Sequence, residues 1–267
     1  MESLAYDEFL KLERKYNSGI ATRDDLMYLE PYRAKRAVLF ASGVGNRMMP
    51  ITINTPKPLV NVNGRRIIST ILDALLAIEV TEIYVVTGYL KEQFEVLRFD
   101  YPNITLLENP IYASTNNISS ACVAKDLFEN AYAFESDLYL NNPGLIKKYR
   151  YRSCYMGVPV DATSDWCFDV ESGVIVDLHK GGRDCCHMFG ISYWTAEDGA
   201  KLATDLPIAF SREENRQRFW DDVPCIRMRD RYKVMLEECS FDDVDEIDSL
   251  AELQAIDPRY AYLHAHC

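Results

Sequence analysis

The stretch that decides the fold is residues 37–47, AVLFASGVGNR, in which an apolar run leads directly into a loop with two glycines. A short apolar run followed by glycine is typical of a buried strand that ends at a tight turn. Gly43 and Gly45 allow positive φ angles and let backbone N–H groups approach an anion without an intervening side chain. Arg47 adds a planar cation that suits phosphate oxygens. The stretch therefore predicts a strand followed by a phosphate-holding loop.

A lysine between two prolines follows this loop. Residues 56–58 read Pro-Lys-Pro, so the fixed backbone presents the ammonium of Lys57 in a defined direction. Two other glycine motifs are excluded, because the chain has no G-x-x-x-x-G-K-[ST] here and no third glycine for a dinucleotide fingerprint. The loop and Lys57 together favour a phosphate-binding site outside both of those classes.

Short helices and strands alternate after the loop. The predicted elements are a helix at 67–78, a strand at 82–87, a helix at 91–97, a strand at 104–107, a helix at 117–127 and a strand at 131–134. This order predicts an α/β fold with a Rossmann-like, mainly parallel sheet flanked by helices. Ligands bind beyond the carboxyl ends of the strands in such sheets. The glycine loop and Asp137, which each follow a strand, are therefore expected to face one site.

The pattern changes in the second half of the main domain, which we assign to residues 34–257. Turn residues separate short apolar stretches there, which predicts an antiparallel insertion that forms the far wall of the cleft. The predicted strands are 155–159, 166–170, 174–178 and 188–193, and the predicted helices are 197–202, 211–220 and 250–256.

Both ends of the chain lie outside this domain. Residues 1–33 predict two short amphipathic helices, the second capped by Thr22, and hence a small helical appendage. The appendage is neither basic nor long enough for a DNA-binding helix-turn-helix. Residues 258–267 are interpreted as a C-terminal tail.

Composition limits the partners and the location. A formal net charge of −12 argues against nucleic acid, but local cations and N–H groups can still hold one nucleotide. No apolar run approaches the roughly 20 residues of a membrane span, and the acidic start lacks the cationic region of a secretion signal. We therefore expect a cytoplasmic protein without membrane insertion. The eight cysteines form no C-x-x-C pair, which predicts reduced thiols rather than a zinc site.

The loop and the lysine segment together carry a specific motif. Residues 40–52 and 56–60 resemble the signature L-A-A-G-x-G-x-R-M-x-P-L-T followed by P-K-P-L-V of the sugar-nucleotide-type nucleotidyltransferases, with Phe40 in place of the first leucine. Ser42 replaces an alanine, and Ile51 replaces the usual leucine. The resemblance covers about residues 34–257 and implies the nucleotidyltransferase fold, with an acceptor oxygen attacking the α-phosphorus in line. It implies that the triphosphate is wrapped by Ala41, Ser42, Gly43, Val44, Gly45 and Asn46.

The same resemblance implies the catalytic residues and the cofactor. Arg47 and Lys57 would neutralise the triphosphate, and Asp137 would bind Mg²⁺. A second metal ligand is expected nearer the C-terminus, where residues 246–249 resemble an element that returns an aspartate to the site. Asp248 is the favoured second ligand, and Asp222 is the alternative.

Several local stretches resemble one branch of the family, the bacterial choline-phosphate cytidylyltransferases. These stretches are residues 82–89, 116–120, 164–166, 190–194, 219–222 and 246–249. The resemblance implies that CTP and phosphocholine give CDP-choline and pyrophosphate. It places Tyr89, Asn117 and Ser119 or Ser120 near the cytosine.

A quaternary ammonium offers no hydrogen bond, so its site needs aromatic faces and a carboxylate. The second half of the chain holds all three tryptophans, including Trp194. The residues expected to bind the acceptor are Asp165, Trp166, Tyr193 and Trp220, with Asp165 or Asp222 as the countercharge.

Other functions remain open from the sequence. A primary ammonium, as in 2-aminoethylphosphonate or another small phospho-amino-alcohol, would demand hydrogen-bond acceptors rather than an aromatic cage. A sugar 1-phosphate is disfavoured because the far wall lacks an E-K-P segment. A non-catalytic nucleotide-binding regulator is a further alternative, although binding alone needs no metal at the α-phosphate. The sequence does not determine the oligomeric state.

Overall fold

The structure is a computed structural model and describes residues 4–263. The helices are α1 (Tyr6–Asn17), α2 (Arg23–Leu29), α3 (Ile67–Ala77), α4 (Leu97–Asp100), α5 (Ile118–Val123), α6 (Ala196–Phe210) and α7 (Leu250–Ile256). The strands are β1 (Arg36–Ala41), β2 (Asn61–Val62), β3 (Arg65–Arg66), β4 (Glu82–Thr87), β5 (Ile104–Glu108), β6 (Ala131–Glu135), β7 (Leu138–Leu140), β8 (Cys154–Glu171), β9 (Val174–Trp194), β10 (Met235–Glu238) and β11 (Val244–Glu246). Within residues 4–263, no helix has the length and apolar character needed to cross a membrane.

A seven-stranded sheet in the order β10-β8-β9-β6-β1-β4-β5 organises the main domain. Strands β6, β1, β4 and β5 are parallel neighbours, whereas β9 runs antiparallel to both β6 and β8. Helices cover both faces. The predicted α/β fold with a mainly parallel sheet and an antiparallel insertion is therefore confirmed.

Strand β1 lies at the centre and is buried on both faces. Its alternate residues point to opposite sides. Leu39 packs in a core cluster with residues of α3, while Phe40 packs in a second cluster with residues of α5 and α6. Burial on both faces explains why β1 is apolar throughout rather than alternating.

The carboxyl ends of β1 and β6 meet at one edge of the sheet. Phe40 is paired in register with Glu135, so the loop after β1 lies beside the residues that follow β6. The glycine loop and Asp137 therefore emerge together, as the strand order predicts.

The antiparallel insertion is one long hairpin rather than four short strands. Strands β8 and β9 are 18 and 21 residues long and are joined at Ser172 and Gly173, which both have positive φ. The polar residues expected to form turns between short strands lie within the long strands, at shifts in the pairing register such as the one between Thr163 and Trp166. A strand pair tolerates polar residues and bulges where it projects beyond the core.

The segment predicted as a helix at 211–220 is largely irregular, with one 3₁₀ turn at Glu213–Asn215. Its local backbone bonds are single turns, such as the bond from the Arg218 N–H to the Asn215 carbonyl, and part of its backbone bonds to a distant loop. The Asn116 N–H donates to the Arg216 carbonyl at 2.9 Å, and the Trp220 N–H donates to Asn117 Oδ1 at 2.9 Å. These tertiary bonds compete with a continuous helix.

The two N-terminal helices pack against the start of the hairpin. Phe9 and Leu29 are buried with Tyr149, and the rings of Phe9 and Tyr151 lie 5.3 Å apart. Thr22 caps α2 by accepting a hydrogen bond from the Asp25 N–H at 3.2 Å. At the other end, Tyr260 and Leu263 pack against a cluster that includes Leu250 of α7.

We predict that Gly199→Ala destabilises the fold. A Cβ at Gly199 of α6 would lie 2.5 Å from backbone atoms of Phe128 and Glu129, which cannot move aside as a side chain would. The free energy of unfolding, measured in urea, should fall by about 1–3 kcal/mol. Thr204→Ala on the exposed side of α6 is the control and should change it by less than about 0.5 kcal/mol. An unchanged midpoint for Gly199→Ala would contradict the close packing of α6.

Candidate active site

A cavity of about 500 Å³ opens at the edge of the sheet where β1 and β6 end. Its walls come from the glycine loop, the loop after β5 and the residues that follow β6. Most of the residues predicted to bind the nucleotide line it, namely Ala41, Ser42, Gly43, Gly45, Asn46, Arg47, Lys57 and Asn117. Val44 belongs to the same loop but is not among the lining residues.

The glycine loop folds back onto the lysine segment at Gly45. This residue has φ +69°, and an added Cβ would lie 3.1 Å from Thr52 and 3.2 Å from Lys57. The Thr52 hydroxyl donates to the Gly45 carbonyl at 2.9 Å. Positive φ and close packing both require glycine at this position.

Lys57 is buried at the floor of the cavity between two carboxylates. Its Nζ donates to Asp137 Oδ2 at 2.8 Å and to Asp248 Oδ1 at 2.6 Å. Burial alone would lower the pKa of Lys57, but the charges of Asp137 and Asp248 outweigh it and raise the pKa. Arg47, which is mostly exposed, also forms an ion pair with Asp248.

Three carboxylates form a cluster beside Lys57. Oxygens of Asp137, Glu246 and Asp248 all lie within 4.8 Å of one another. Asp137 Oδ1 is buried and has no hydrogen-bond partner among the described residues. Carboxylate oxygens are the ligands that Mg²⁺ prefers, so these residues fit a divalent cation, and the free oxygen of Asp137 is available to it.

Strand pairing brings Glu246 to this cluster. Glu246 of β11 pairs with Leu138 of β7, and the Ile247 N–H donates to the Asp137 carbonyl at 3.0 Å. Burial, followed by the charges of Asp137 and Asp248, raises the pKa of Glu246 to about 8. Glu246 is not among the ligands predicted from the sequence. The signal was present, because residues 246 and 248 lie two apart on an extended chain and so share one side.

Asp222, the alternative second ligand, lies outside this cluster. Its carboxylate is buried and accepts a hydrogen bond from Arg218 at 2.9 Å. It lines a second cavity instead.

The second cavity, of about 250 Å³, adjoins the first. Both are lined by Arg47, Glu135, Asp137, Phe219 and Asp248, so they meet at the carboxylate cluster. The hairpin of β8 and β9 forms the outer wall, as predicted for the far side of the cleft. Strand β9 packs closely on β6 here. A Cβ added at Gly190 would lie only 2.8 Å from the Cβ of Glu135.

The aromatic residues at the second cavity differ from those expected. Trp166 and Phe219 line it, with ring centroids 5.4 Å apart. Trp220 and Tyr193 are only 2% and 0% exposed. Trp220 packs against Phe40 and Phe128, and Tyr193 packs against Tyr132, so both belong to the core and neither lines this cavity. Trp194 is also fully buried.

Carboxylates outnumber aromatic rings in the second cavity. Besides the cluster, it is lined by Glu135, Asp165, Asp221 and Asp222. Three of these have side-chain donors: Asn117 donates to Glu135, Tyr155 to Asp221 and Arg218 to Asp222. Asp165 has no side-chain donor among the described residues, since only the Trp166 N–H bonds to its carboxylate.

Burial changes the acidity of two of these groups. It raises the pKa of Asp221 to about 7, although the Tyr155 hydroxyl favours the ionised form. Burial, with the charges of Asp137 and Asp221, also raises the pKa of Glu135 well above its usual range. Both groups therefore bind protons more readily than exposed carboxylates do.

Lys180 is a cation on the wall of the second cavity that is not among the residues predicted from the sequence. Within residues 4–263, its ammonium forms no ion pair and no side-chain hydrogen bond. It therefore remains available for an anionic ligand. Its position in a polar stretch of a long strand gives no distinctive signal in the sequence.

The remaining residues predicted near the base lie behind the first cavity and not in its lining. The Tyr89 hydroxyl donates to the Thr52 carbonyl at 2.9 Å and so supports the loop. The Asn109 amide donates to the hydroxyls of Ser119 and Ser120 at 2.7 and 3.0 Å, and Ser120 also bonds to Ser42 at 2.7 Å. These serines thus hold Asn109 and Ser42, which do line the cavity.

Comparisons with known proteins agree with this geometry. The nucleotidyl transferase family matches residues 36–142. The chain is 41% identical over 231 residues to a 2-aminoethylphosphonate cytidylyltransferase of Lancefieldella rimae, covering 85% of this chain and 94% of the relative. It is 31% identical over 230 residues to a choline-phosphate cytidylyltransferase of Streptococcus pneumoniae, covering 83% of this chain and 96% of the relative.

A solved structure supports the same assignment. The fold is similar to that of a CTP:phosphocholine cytidylyltransferase from Streptococcus pneumoniae, with a TM-score of 0.78 and 28% identity over 84% of this chain and 98% of that chain. The glycine loop, the sheet and the relatives agree, and the chain belongs to the nucleotidyl transferase family and is a nucleotidyltransferase, as the loop signature predicts.

Proposed function

We propose that this enzyme transfers the cytidylyl group of CTP to a small phosphonate or phosphate that carries an amine, with 2-aminoethylphosphonate as the preferred acceptor. One observation carries the proposal: a cavity lined by the glycine loop and a second, acidic cavity meet at the cluster of Lys57, Asp137 and Asp248. The relatives at 41% and 31% identity both carry cytidylyltransferase names, which supports CTP as the nucleotide.

The first cavity would bind CTP. Backbone N–H groups of the glycine loop would surround the triphosphate, and Arg47 would turn from Asp248 to the phosphates. Asn109 and Asn117 line this cavity. Asn109 already donates both amide N–H groups to Ser119 and Ser120, whereas Asn117 donates one to Glu135 and would offer the other to the base. The ring of Tyr112 lies close over Gly88, where a Cβ would approach it to 2.6 Å, and would form a flat surface for the base.

The carboxylates of Asp137, Glu246 and Asp248 would hold Mg²⁺. When bound, the ion would offset the charge that builds up on the α-phosphate and the departing pyrophosphate. The ammonium of Lys57 would form ion pairs with the same phosphates. An oxygen of the acceptor would attack the α-phosphorus as the bond to the β-phosphate oxygen breaks, and pyrophosphate would leave.

The second cavity would bind the acceptor. Lys180 would pair with the phosphonate, and Asp165 would accept hydrogen bonds from the primary ammonium. Phosphocholine, the acceptor favoured from the sequence, is the second candidate. The rings of Trp166 and Phe219 support it, because a quaternary ammonium binds to aromatic faces. The burial of Trp220 and Tyr193 reduces the aromatic wall and favours the primary amine.

A substrate screen tests the proposal directly. Pyrophosphate release is expected from CTP with 2-aminoethylphosphonate, more slowly with phosphocholine, and not with UTP, ATP or GTP. The measurement is a coupled pyrophosphate assay with Mg²⁺ and each acceptor in turn. Turnover with a hexose 1-phosphate but with neither amino compound would overturn the assignment, and no turnover with any acceptor would favour the regulator.

The carboxylate cluster predicts a graded metal defect. Asp137→Asn should lower kcat by about 10² or more, because the carboxylate with the free, buried oxygen is lost. Glu246→Gln should raise the Mg²⁺ concentration needed for half-maximal turnover by about tenfold. Asp245→Asn is the matched control on β11 and should behave as the wild type, since Asp245 bonds to Asn141 outside both cavities. An Asp137→Asn enzyme with full turnover would refute the metal assignment.

The acceptor wall predicts which interaction recognises the amine. Asp165→Asn should lower kcat/KM for 2-aminoethylphosphonate by about tenfold, because hydrogen bonds to charged groups contribute roughly 1.5–3 kcal/mol. Asp161→Asn, on the same strand but outside the cavity, is the control. Trp166→Leu should lower kcat/KM for phosphocholine more than kcat/KM for 2-aminoethylphosphonate. The reverse order of sensitivities would assign the cavity to a quaternary ammonium.

A further inference from the structure

A third cavity, of about 170 Å³, lies between helix α1 and the sheet edge formed by β8 and β10. It shares no lining residue with either cavity of the active site. One wall is formed by the N-terminal appendage, including Tyr6, Phe9 and Glu13, and the other by residues from Lys147 to Cys154 and from Met235 to Glu237. The space therefore exists only because the appendage packs on the main domain.

Two of the three cations at this cavity already share one carboxylate partner. The guanidinium of Arg150 is buried and contacts Glu237 at 2.9 Å, the Tyr132 hydroxyl at 2.8 Å and the Leu145 carbonyl at 2.8 Å. Lys147 pairs with the same carboxylate of Glu237. Neither group is available to a ligand without breaking these contacts.

One carboxylate and one guanidinium remain without partners of opposite charge. Glu13 forms no hydrogen bond or ion pair with any residue in the described range, and Arg152 forms no ion pair there. Burial raises the pKa of Glu13, even though Lys147 and Arg150 favour its ionised form. Leaving a half-buried carboxylate unpaired costs free energy that a bound cation would recover.

The aromatic wall of this cavity already attracts a cation. The guanidinium carbon of Arg152 lies 4.2 Å from the ring centroid of Tyr6 and 5.6 Å from that of Tyr151. Tyr6 and Phe9 each pack on Tyr151, with centroids 5.1 and 5.3 Å apart. Alkyl and ammonium groups of a small ligand would both find favourable surfaces among these rings.

The charges indicate the class of ligand. Lys147, Arg150 and Arg152 carry three positive charges, and Glu13 and Glu237 carry two negative ones, which leaves a net charge of +1. A ligand with one ammonium and a doubly charged phosphonate or phosphate carries −1 and has a group for each unpartnered side chain. The volume of the cavity equals that of about five or six molecules of liquid water. A small aminoalkyl phosphonate or phosphate fits that space.

We propose that this cavity is a second binding site for a small aminoalkyl phosphonate or phosphate, with the ammonium at Glu13 and the anionic group at Arg152. The ligand would connect α1 to Arg152, two residues before β8, and so would tie the appendage to the base of the hairpin. This site goes beyond the proposed function, because it lies outside the catalytic cavities and its ligand is bound rather than converted.

Binding of 2-aminoethylphosphonate to the full chain, measured by calorimetry without CTP or Mg²⁺, tests the proposal. Glu13→Gln is compared with Asp7→Asn, which removes the same type of charge from α1 outside the cavity. Glu13→Gln should bind one molecule fewer per chain, or bind it at least about tenfold more weakly. Asp7→Asn should bind as the wild type. Equal binding by the two variants overturns the proposal.

Three further measurements separate the two charges and the two sites. Arg152→Gln should cause the same loss as Glu13→Gln. Ethylamine and ethylphosphonate, which each lack one of the two charged groups, should bind this cavity at least about tenfold more weakly. Glu13→Gln should retain wild-type pyrophosphate release at saturating acceptor, so a failure of catalysis with every acceptor would count against the proposed function alone. Tight binding of ethylphosphonate that does not depend on Glu13 would overturn the zwitterion assignment.

Discussion

The ion cluster of Lys57, Asp137 and Asp248 is the interaction on which the active site depends. Buried charges are costly unless they are paired at close range, so the three chain segments that carry them must meet at one point. The pairing of β7 with β11 and the bond from the Ile247 N–H to the Asp137 carbonyl hold two of these segments together. The third arrives through the glycine loop, whose return depends on Gly45. Both ligand cavities open onto this cluster, and hence nucleotide and acceptor would meet there.

Features encoded by neighbouring residues could be predicted from the sequence. The apolar run of β1, the glycines after it and the lysine between prolines each specify their own backbone, and the strands of the parallel sheet agree with prediction within one residue. Features that depend on distant partners could not. The backbone of residues 216–220 bonds to Asn116 and Asn117, and the segment is irregular although its composition favours a helix. Burial of Trp220 and Tyr193 likewise depends on the packing of whole elements, because an aromatic residue suits a core and a binding wall equally well.

The lining of the second cavity differs from the aromatic wall that the sequence predicts. From the sequence, several aromatic residues favour a quaternary ammonium. In the structure, Trp166 and Phe219 are the rings at the wall, while Asp165 and Lys180 remain without side-chain partners among the described residues. An unpartnered carboxylate and an unpartnered ammonium in one cavity match a zwitterionic acceptor, and the relatives with amino-phosphonate and choline-phosphate names are consistent with that class.

The hairpin of β8 and β9 also bears on how such enzymes diversify. The catalytic cluster draws on three widely separated parts of the chain, so a change in any one of them must be matched by the others. Most of the outer acceptor wall, in contrast, is contributed by one continuous segment that projects from the edge of the parallel sheet. Strand β9 pairs with β6 through residues 191–194, so substitutions nearer the hairpin tip, where Asp165, Trp166 and Lys180 lie, would leave the register of β6, β1 and β4 intact. If the second cavity binds the acceptor, new acceptors would be accommodated by changes in the hairpin and at Phe219, Asp221 and Asp222, while the glycine loop and the carboxylate cluster stay unchanged.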